Sequence, residues 1–137
     1  MLVGKCLCGV VRYAVAGPFR YAGYCHCARC RAGSGSAFSA FAGIEQDKLR
    51  VTDGEESIGL FAMNPDKIVS FCKLCGSSLF SLVRDGRFFH VTMGTLVDDP
   101  GIRPTFHIFV GSKAPWHEIT DALPQHAELP PSEALAT

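Results

Sequence analysis

Short β-rich runs separated by glycine and proline dominate the pattern of this chain. Between Val10 and Val15, Val11, Tyr13 and Val15 share one face and Arg12 lies on the other, the period-two spacing of a half-buried strand. Ala37–Ala42, with Phe38 and Phe41, predicts a second strand. Ser57–Ala62 and Lys67–Phe71 flank Asn64-Pro65-Asp66, a turn signature. Ser78–Val83 and Phe88–Met93 flank Arg84-Asp85-Gly86-Arg87, where Asp-Gly suits the positive φ angles of a type I′ hairpin turn. Thr105–Val110 predicts a further strand. Helical signal is confined to a short turn around Glu45–Leu49 and some helix around His117–Ala122. The elements add up to a mainly-β fold.

Length and charge narrow the class. At 137 residues, 47% of them hydrophobic and 19% charged, the chain has the material for one globular domain with a real core. We expect that domain over residues 1–128, followed by a flexible tail over residues 129–137, where Pro130 and Pro131 block regular structure. Thirteen basic side chains balance thirteen acidic ones, which argues against nucleic acid or an anionic membrane as partner. No run is apolar for long enough to span a bilayer. Residues 1–44 nevertheless hold Lys5, Arg12, Arg20, Arg29 and Arg31 and no acidic residue, the first carboxylate being Glu45. Either this is a chance asymmetry of a solvated surface, or cations surround something anionic in the first third.

The seven cysteines change the picture most. An odd number cannot close into a disulfide framework, and the N-terminus carries no apolar signal core, so a reducing, cytoplasmic setting is expected. Clustered cysteines there are more often metal ligands than cystines. Cys72-Lys73-Leu74-Cys75-Gly76 is the C-x-x-C-G of a zinc knuckle: the turn aims both sulfurs at one point and glycine permits the tight backbone. Cys6 and Cys8, at i and i+2 of an extended segment, can supply the two further ligands that close a tetrahedral, structural zinc site. Ordinary buried cysteines, a redox C-x-x-C and an iron–sulfur cluster are the competing readings of these residues. The redox reading lacks the strand–helix context it requires.

Cys25, Cys27 and Cys30 offer only three sulfurs, the composition of a zinc site with one open position. Three thiolates and Zn²⁺ carry a formal charge of −1, so bound water is acidified less than at a three-histidine site. A thiol is the better fourth ligand, and thiol chemistry is favoured over hydrolysis. Arg29 and Arg31 flank Cys30, where they can offset the negative site, bind carboxylates of a small anionic thiol, or simply face solvent. His26, between two ligands, is expected to point away from their metal. His26, His90 and His107 are all conceivable proton donors to an alkoxide. Trp116 and the phenylalanine-rich strands are expected to serve packing.

Three runs, Gly4-Lys5-Cys6-Leu7-Cys8-Gly9-Val10, Cys25-His26-Cys27-Ala28-Arg29-Cys30-Arg31 and Phe71-Cys72-Lys73-Leu74-Cys75-Gly76-Ser77, resemble the cysteine motifs of the glutathione-dependent formaldehyde-activating enzyme family, which also contains centromere protein V. Gly94–Pro100 and Pro104–Trp116 resemble two later segments of that family. The resemblance implies a mainly-β, zinc-stapled tent of stacked antiparallel sheets. It implies two Zn²⁺ per chain: a structural one on Cys6, Cys8, Cys72 and Cys75, and a catalytic one on Cys25, Cys27 and Cys30. The implied activity is that of a carbon–sulfur lyase joining or splitting a glutathione-like thiol and a small aldehyde. A non-catalytic, zinc-stapled binding or scaffold module, its second site closed by a fourth protein ligand such as histidine, is the alternative.

Overall fold

The computed structural model of the chain describes residues 1–130. Its strands are Leu2–Lys5 (β1), Arg12–Val15 (β2), Tyr21–Cys25 (β3), Ser39–Glu45 (β4), Leu49–Asp53 (β5), Ile58–Asn64 (β6), Lys67–Cys72 (β7), Ser78–Val83 (β8), Phe88–Thr92 (β9) and His107–Ile108 (β10). One α-helix, Ala28–Ser34 (α1), separates β3 from β4. A small sheet runs in the order β1-β2-β5, and a seven-stranded sheet runs β10-β3-β4-β9-β8-β7-β6. All pairings are antiparallel except β10 with β3. The fold is mainly β, as expected. Among the described residues no helix is long and apolar enough to cross a membrane.

Alternation along the strands divides the buried residues into two cores. Val11, Tyr13 and Val15 are completely buried, and they pack with Ala42 and Ile44 of β4, Phe80 of β8 and Val91 of β9. This core seals the small sheet against one face of the large one; the Tyr13 and Phe80 rings meet edge to face at 5.4 Å. The opposite face of the large sheet carries a second core built on Tyr21, Phe41, Val83 and Phe88. Cross-strand register sets its rows: Tyr21 opposes Gly43, Gly43 opposes His90, His90 opposes Ser81, and Ser81 opposes Val69. Because side chains alternate between faces, a single row carries Tyr21, His90, Ser81 and Val69 on this outer face.

Several expected elements shift. The β8–β9 hairpin forms where expected, with positive φ at Asp85 and Gly86 and also at Arg84, and with Gly86 N–H donating to Val83 O at 3.1 Å. The Glu45–Leu49 turn is a 3₁₀ turn over Gln46–Lys48. The strand expected over Thr105–Val110 shrinks to β10, because Phe109 takes a left-handed φ of 56° and ends it. The helix expected around His117–Ala122 is absent; that stretch is irregular. Trp116, expected to serve core or ordinary packing, is 71% exposed and so lies outside the core. Of the expected tail, Leu129 is exposed and Pro130 is buried, and residues 131–137 lie outside the described residues.

Candidate metal centres

The four-cysteine cluster sits where the turn after β1 meets the turn after β7, so it bridges the two sheets. Cys6 and Cys8 lie in a turn, not in the extended segment expected, with Gly9 N–H donating to Cys6 O at 3.1 Å. The β7 turn repeats the device: Gly76 N–H donates to Cys72 O at 2.8 Å, and Gly76 takes a φ of 79° that a side chain would strain. Leu7 N–H donates to Ser77 Oγ at 2.8 Å and locks the two turns together. Cys6 and Cys8 Sγ are 3.6 Å apart, and Cys8 and Cys72 Sγ 3.8 Å. Tetrahedral coordination with metal–sulfur bonds of about 2.3 Å puts sulfurs about 3.8 Å apart, so the cluster matches a closed four-sulfur site. The Ser77 hydroxyl and then its backbone pull the Cys75 thiol down to about 5, a value suited to a thiolate ligand.

The three-cysteine cluster belongs to the outer face of the large sheet. Cys25 ends β3, held between Ile108 of β10 and Ser39 of β4. Cys27 caps α1, its Sγ accepting the backbone N–H of Cys30 at 3.2 Å. That cap turns the chain back so that Cys30 is buried beside Cys25, and the three sulfurs lie within 4.8 Å of one another. Hydrogen bonds from the Cys25 thiol and then the Cys30 thiol hold Cys27 far below the ordinary thiol range. The same sharing with Cys27 and Cys30 pushes Cys25 up. For all three to be thiolates this close a cation would have to lie among them, and an all-sulfur donor set suits a soft, tetrahedral metal ion. Both clusters are therefore able to hold a metal.

The two clusters differ in what lies beside them. The three sulfurs open onto a cavity of about 540 Å³ whose walls include Phe41, Val69, His90, Arg29 and Lys67. Lys67 Nζ is 3.7 Å from Cys30 Sγ. The His90 ring stacks on Phe41 at 4.6 Å, and its Nε2 shares a 2.7 Å hydrogen bond with the Tyr21 hydroxyl. Burial, and then the charges of Lys67 and Arg84, push His90 down to about 3, so it stays neutral.

The sequence profile of the glutathione-dependent formaldehyde-activating enzyme family matches residues 1–112 of this chain. The chain belongs to that family. A curated member from Halomonas elongata, provisionally named a glutathione-dependent formaldehyde-activating enzyme, is 31% identical over 131 residues, which cover 87% of this chain and 81% of the relative. A crystal structure of a Rhodobacter sphaeroides protein superposes with a TM-score of 0.61 at 26% identity, covering 74% of this chain and 91% of that one.

Within this family frame, the residues singled out from sequence separate cleanly in space. Arg29 lines the cavity and donates to Met63 O at 2.7 Å, whereas Arg31 is not among the lining residues and its Nε is buried without a hydrogen-bond partner. Of the three histidines considered as proton donors, His90 faces the cavity, while His26 and His107 bond to each other in a separate buried cluster. Among the described residues no histidine joins the three sulfurs. Phe41 and Phe109, expected to serve packing, line the cavity. Lys67 and Tyr21 were not anticipated. Their signal lay in the register: once the β7–β8–β9 meander is fixed, period-two alternation puts Lys67 on the same face as Val69, Ser81 and His90.

Proposed function

We propose that the chain is a zinc-dependent carbon–sulfur lyase that joins or splits a glutathione-like thiol and a small aldehyde at the Cys25/Cys27/Cys30 centre. The observation that carries this reading is the contrast between the two clusters: four sulfurs complete one tetrahedron, while three sulfurs leave a position facing a cavity. The name of the Halomonas elongata relative supports the same thiol and aldehyde. In this reading Cys6, Cys8, Cys72 and Cys75 hold the structural zinc. Zinc on Cys25, Cys27 and Cys30 supplies a Lewis acid that lowers the pKa of a thiol in its fourth position and keeps it nucleophilic.

The chain's own residues do the rest. Arg29 and Lys67 bring positive charge to the cavity and complement an anionic thiol. Phe41 and Val69 form an apolar wall that limits water around the reacting carbonyl. In the joining direction a carbon–sulfur bond forms, the carbonyl π bond breaks, and the proton lost from sulfur ends on oxygen. Tyr21 stays protonated because burial raises its pKa, and His90 stays neutral. His90, which lines the cavity, is the member of this pair placed to pass a proton to the oxygen, and the Tyr21 hydroxyl bonded to its Nε2 orients the ring.

The test uses cobalt-substituted protein titrated with glutathione, followed by a turnover assay with formaldehyde. An open centre changes its absorption spectrum on thiol binding, and the Cys25→Ser and Cys27→Ser variants lose both that change and turnover while keeping their circular dichroism. An unresponsive spectrum, or unchanged turnover in metal-verified variants, refutes the reading.

A further inference from the structure

Away from the cavity, a hydrogen-bonded chain of three ionisable residues, two buried histidines and the exposed Asp121, ends on the metal-binding segment. His26 is fully buried between Cys25 and Cys27, and its Nε2 lies 2.8 Å from His107 Nδ1. His107, 2% exposed, places its Nε2 at 3.0 and 3.1 Å from the two carboxylate oxygens of Asp121. Strand β10 delivers His107 to this position by pairing in parallel with β3, and Ile108 O accepts the backbone N–H of His26 at 3.0 Å. Aromatic rings fix the planes: Tyr24 lies 5.0 Å from His107 and Phe38 5.4 Å from His26.

Hydrogen-bond inventory gives the chain a direction. The Asp121 carboxyl is held below its ordinary range, first by the Leu123 backbone N–H, and as a carboxylate it only accepts. With both rings neutral, His107 then donates from Nε2 and accepts at Nδ1. His26 must donate from Nε2, which leaves a lone pair at Nδ1, the atom that finds no hydrogen-bond partner. The cations of Arg31 and Lys113 act on His26, and its ring stacks with His117 at 6.2 Å.

We propose that Asp121 and His107 are positioning residues for the three-cysteine centre. Acting through His26, they fix its tautomer and ring, and with them the backbone that aims Cys25 and Cys27 at a common metal. The inference rests on the reading that these three sulfurs hold zinc. Groups that orient metal ligands from behind typically contribute a factor of about 10–100 in metal affinity.

The test compares zinc-loaded wild type, Asp121→Asn and Asp121→Ala at pH 8. Long-range proton–nitrogen NMR on labelled histidines reads the tautomers, and chelator competition reads zinc affinity at each centre. We expect Nε2–H on both His26 and His107 in wild type. In Asp121→Asn the amide donates instead, and both tautomers invert. Asp121→Ala, which removes the acceptor and offers no donor, covers the case of a poorly folded asparagine variant. Both variants should bind zinc about 10–100-fold more weakly at the three-cysteine centre and unchanged at the four-cysteine centre. An Nδ1–H His26 in wild type, unchanged affinity in the variants, or an equal loss at both centres overturns the proposal. Wild type that loads zinc only at the four-cysteine centre refutes the functional reading beneath it, whereas normal loading with unaffected variants refutes the relay alone.

Discussion

The two cysteine clusters should differ sharply in what they contribute to stability. The four-cysteine cluster ties Cys8 to Cys72 across 63 intervening residues, and it joins turns belonging to different sheets. The three-cysteine cluster closes only the short stretch from Cys25 to Cys30, whose geometry α1 already sets. Loop-closure entropy makes a cross-link of the first length worth about 4 kcal/mol, against about 2 kcal/mol for one of six residues. Replacing Cys72 and Cys75 together by serine cuts the inter-sheet link, since Cys6 and Cys8 remain on one side only. Replacing Cys27 and Cys30 together breaks the short one. Urea unfolding of zinc-loaded, reduced protein should show the first double variant losing about twice the stability of the second. At about 3 °C per kcal/mol, its Tm should fall by more than about 10 °C. Equal losses, or a larger loss at the three-cysteine centre, would refute the assignment of the long-range staple to Cys6, Cys8, Cys72 and Cys75.

Two further outcomes follow from the outer face of the large sheet. A Cβ at Gly43 would come within 2.3 Å of the Tyr21 ring, which is 5% exposed and cannot swing away freely; Gly43→Ala should cost about 1–3 kcal/mol in urea unfolding and disturb the Tyr21–His90 bond, and a wild-type denaturation midpoint would contradict this packing. His90 takes up a proton less readily folded, at about 3, than unfolded, at 6.5, so its contribution is complete above pH 6.5 and is lost as the pH falls toward 3. Acidification to pH 5.5 should therefore cost wild type roughly 1 kcal/mol more than His90→Gln, and parallel pH profiles of the two would sink the assignment.

What could be read from the sequence follows the physics of each element. Val11, Tyr13 and Val15 declare a buried face because β2 has one wet side, and the β8–β9 hairpin is announced by its turn chemistry. Strand β3 was missed because Tyr21–Cys25 is buried on both faces apart from Tyr24, so no alternation marks it. Helix α1 was missed because seven residues with a glycine and no apolar stripe carry no helical period; a sulfur cap starts it. The cysteine clusters were legible because the spacing within each run is local, and the structure brings all seven sulfurs into the expected groups. The cavity was not, because Lys67, His90 and Arg29 meet only through cross-strand register and the position of α1.

The acid-free first third also resolves into distinct roles. Arg20 approaches Glu45 at 3.7 Å, Arg12 donates to Gly9 O, and Arg31 lies toward His26, so the excess of cations is not one patch. Only Arg29 from that stretch reaches the cavity, and the cation nearest the sulfurs, Lys67, comes from outside it. These two suffice for the proposed chemistry. Three thiolates and one Zn²⁺ leave a single negative charge, and a substrate thiolate adds a second. The Lys67 ammonium and the Arg29 guanidinium bring the loaded cavity to neutrality. A neutral thiol in the same place would leave the cavity with a net positive charge, so this balance favours entry of the thiol followed by loss of its proton.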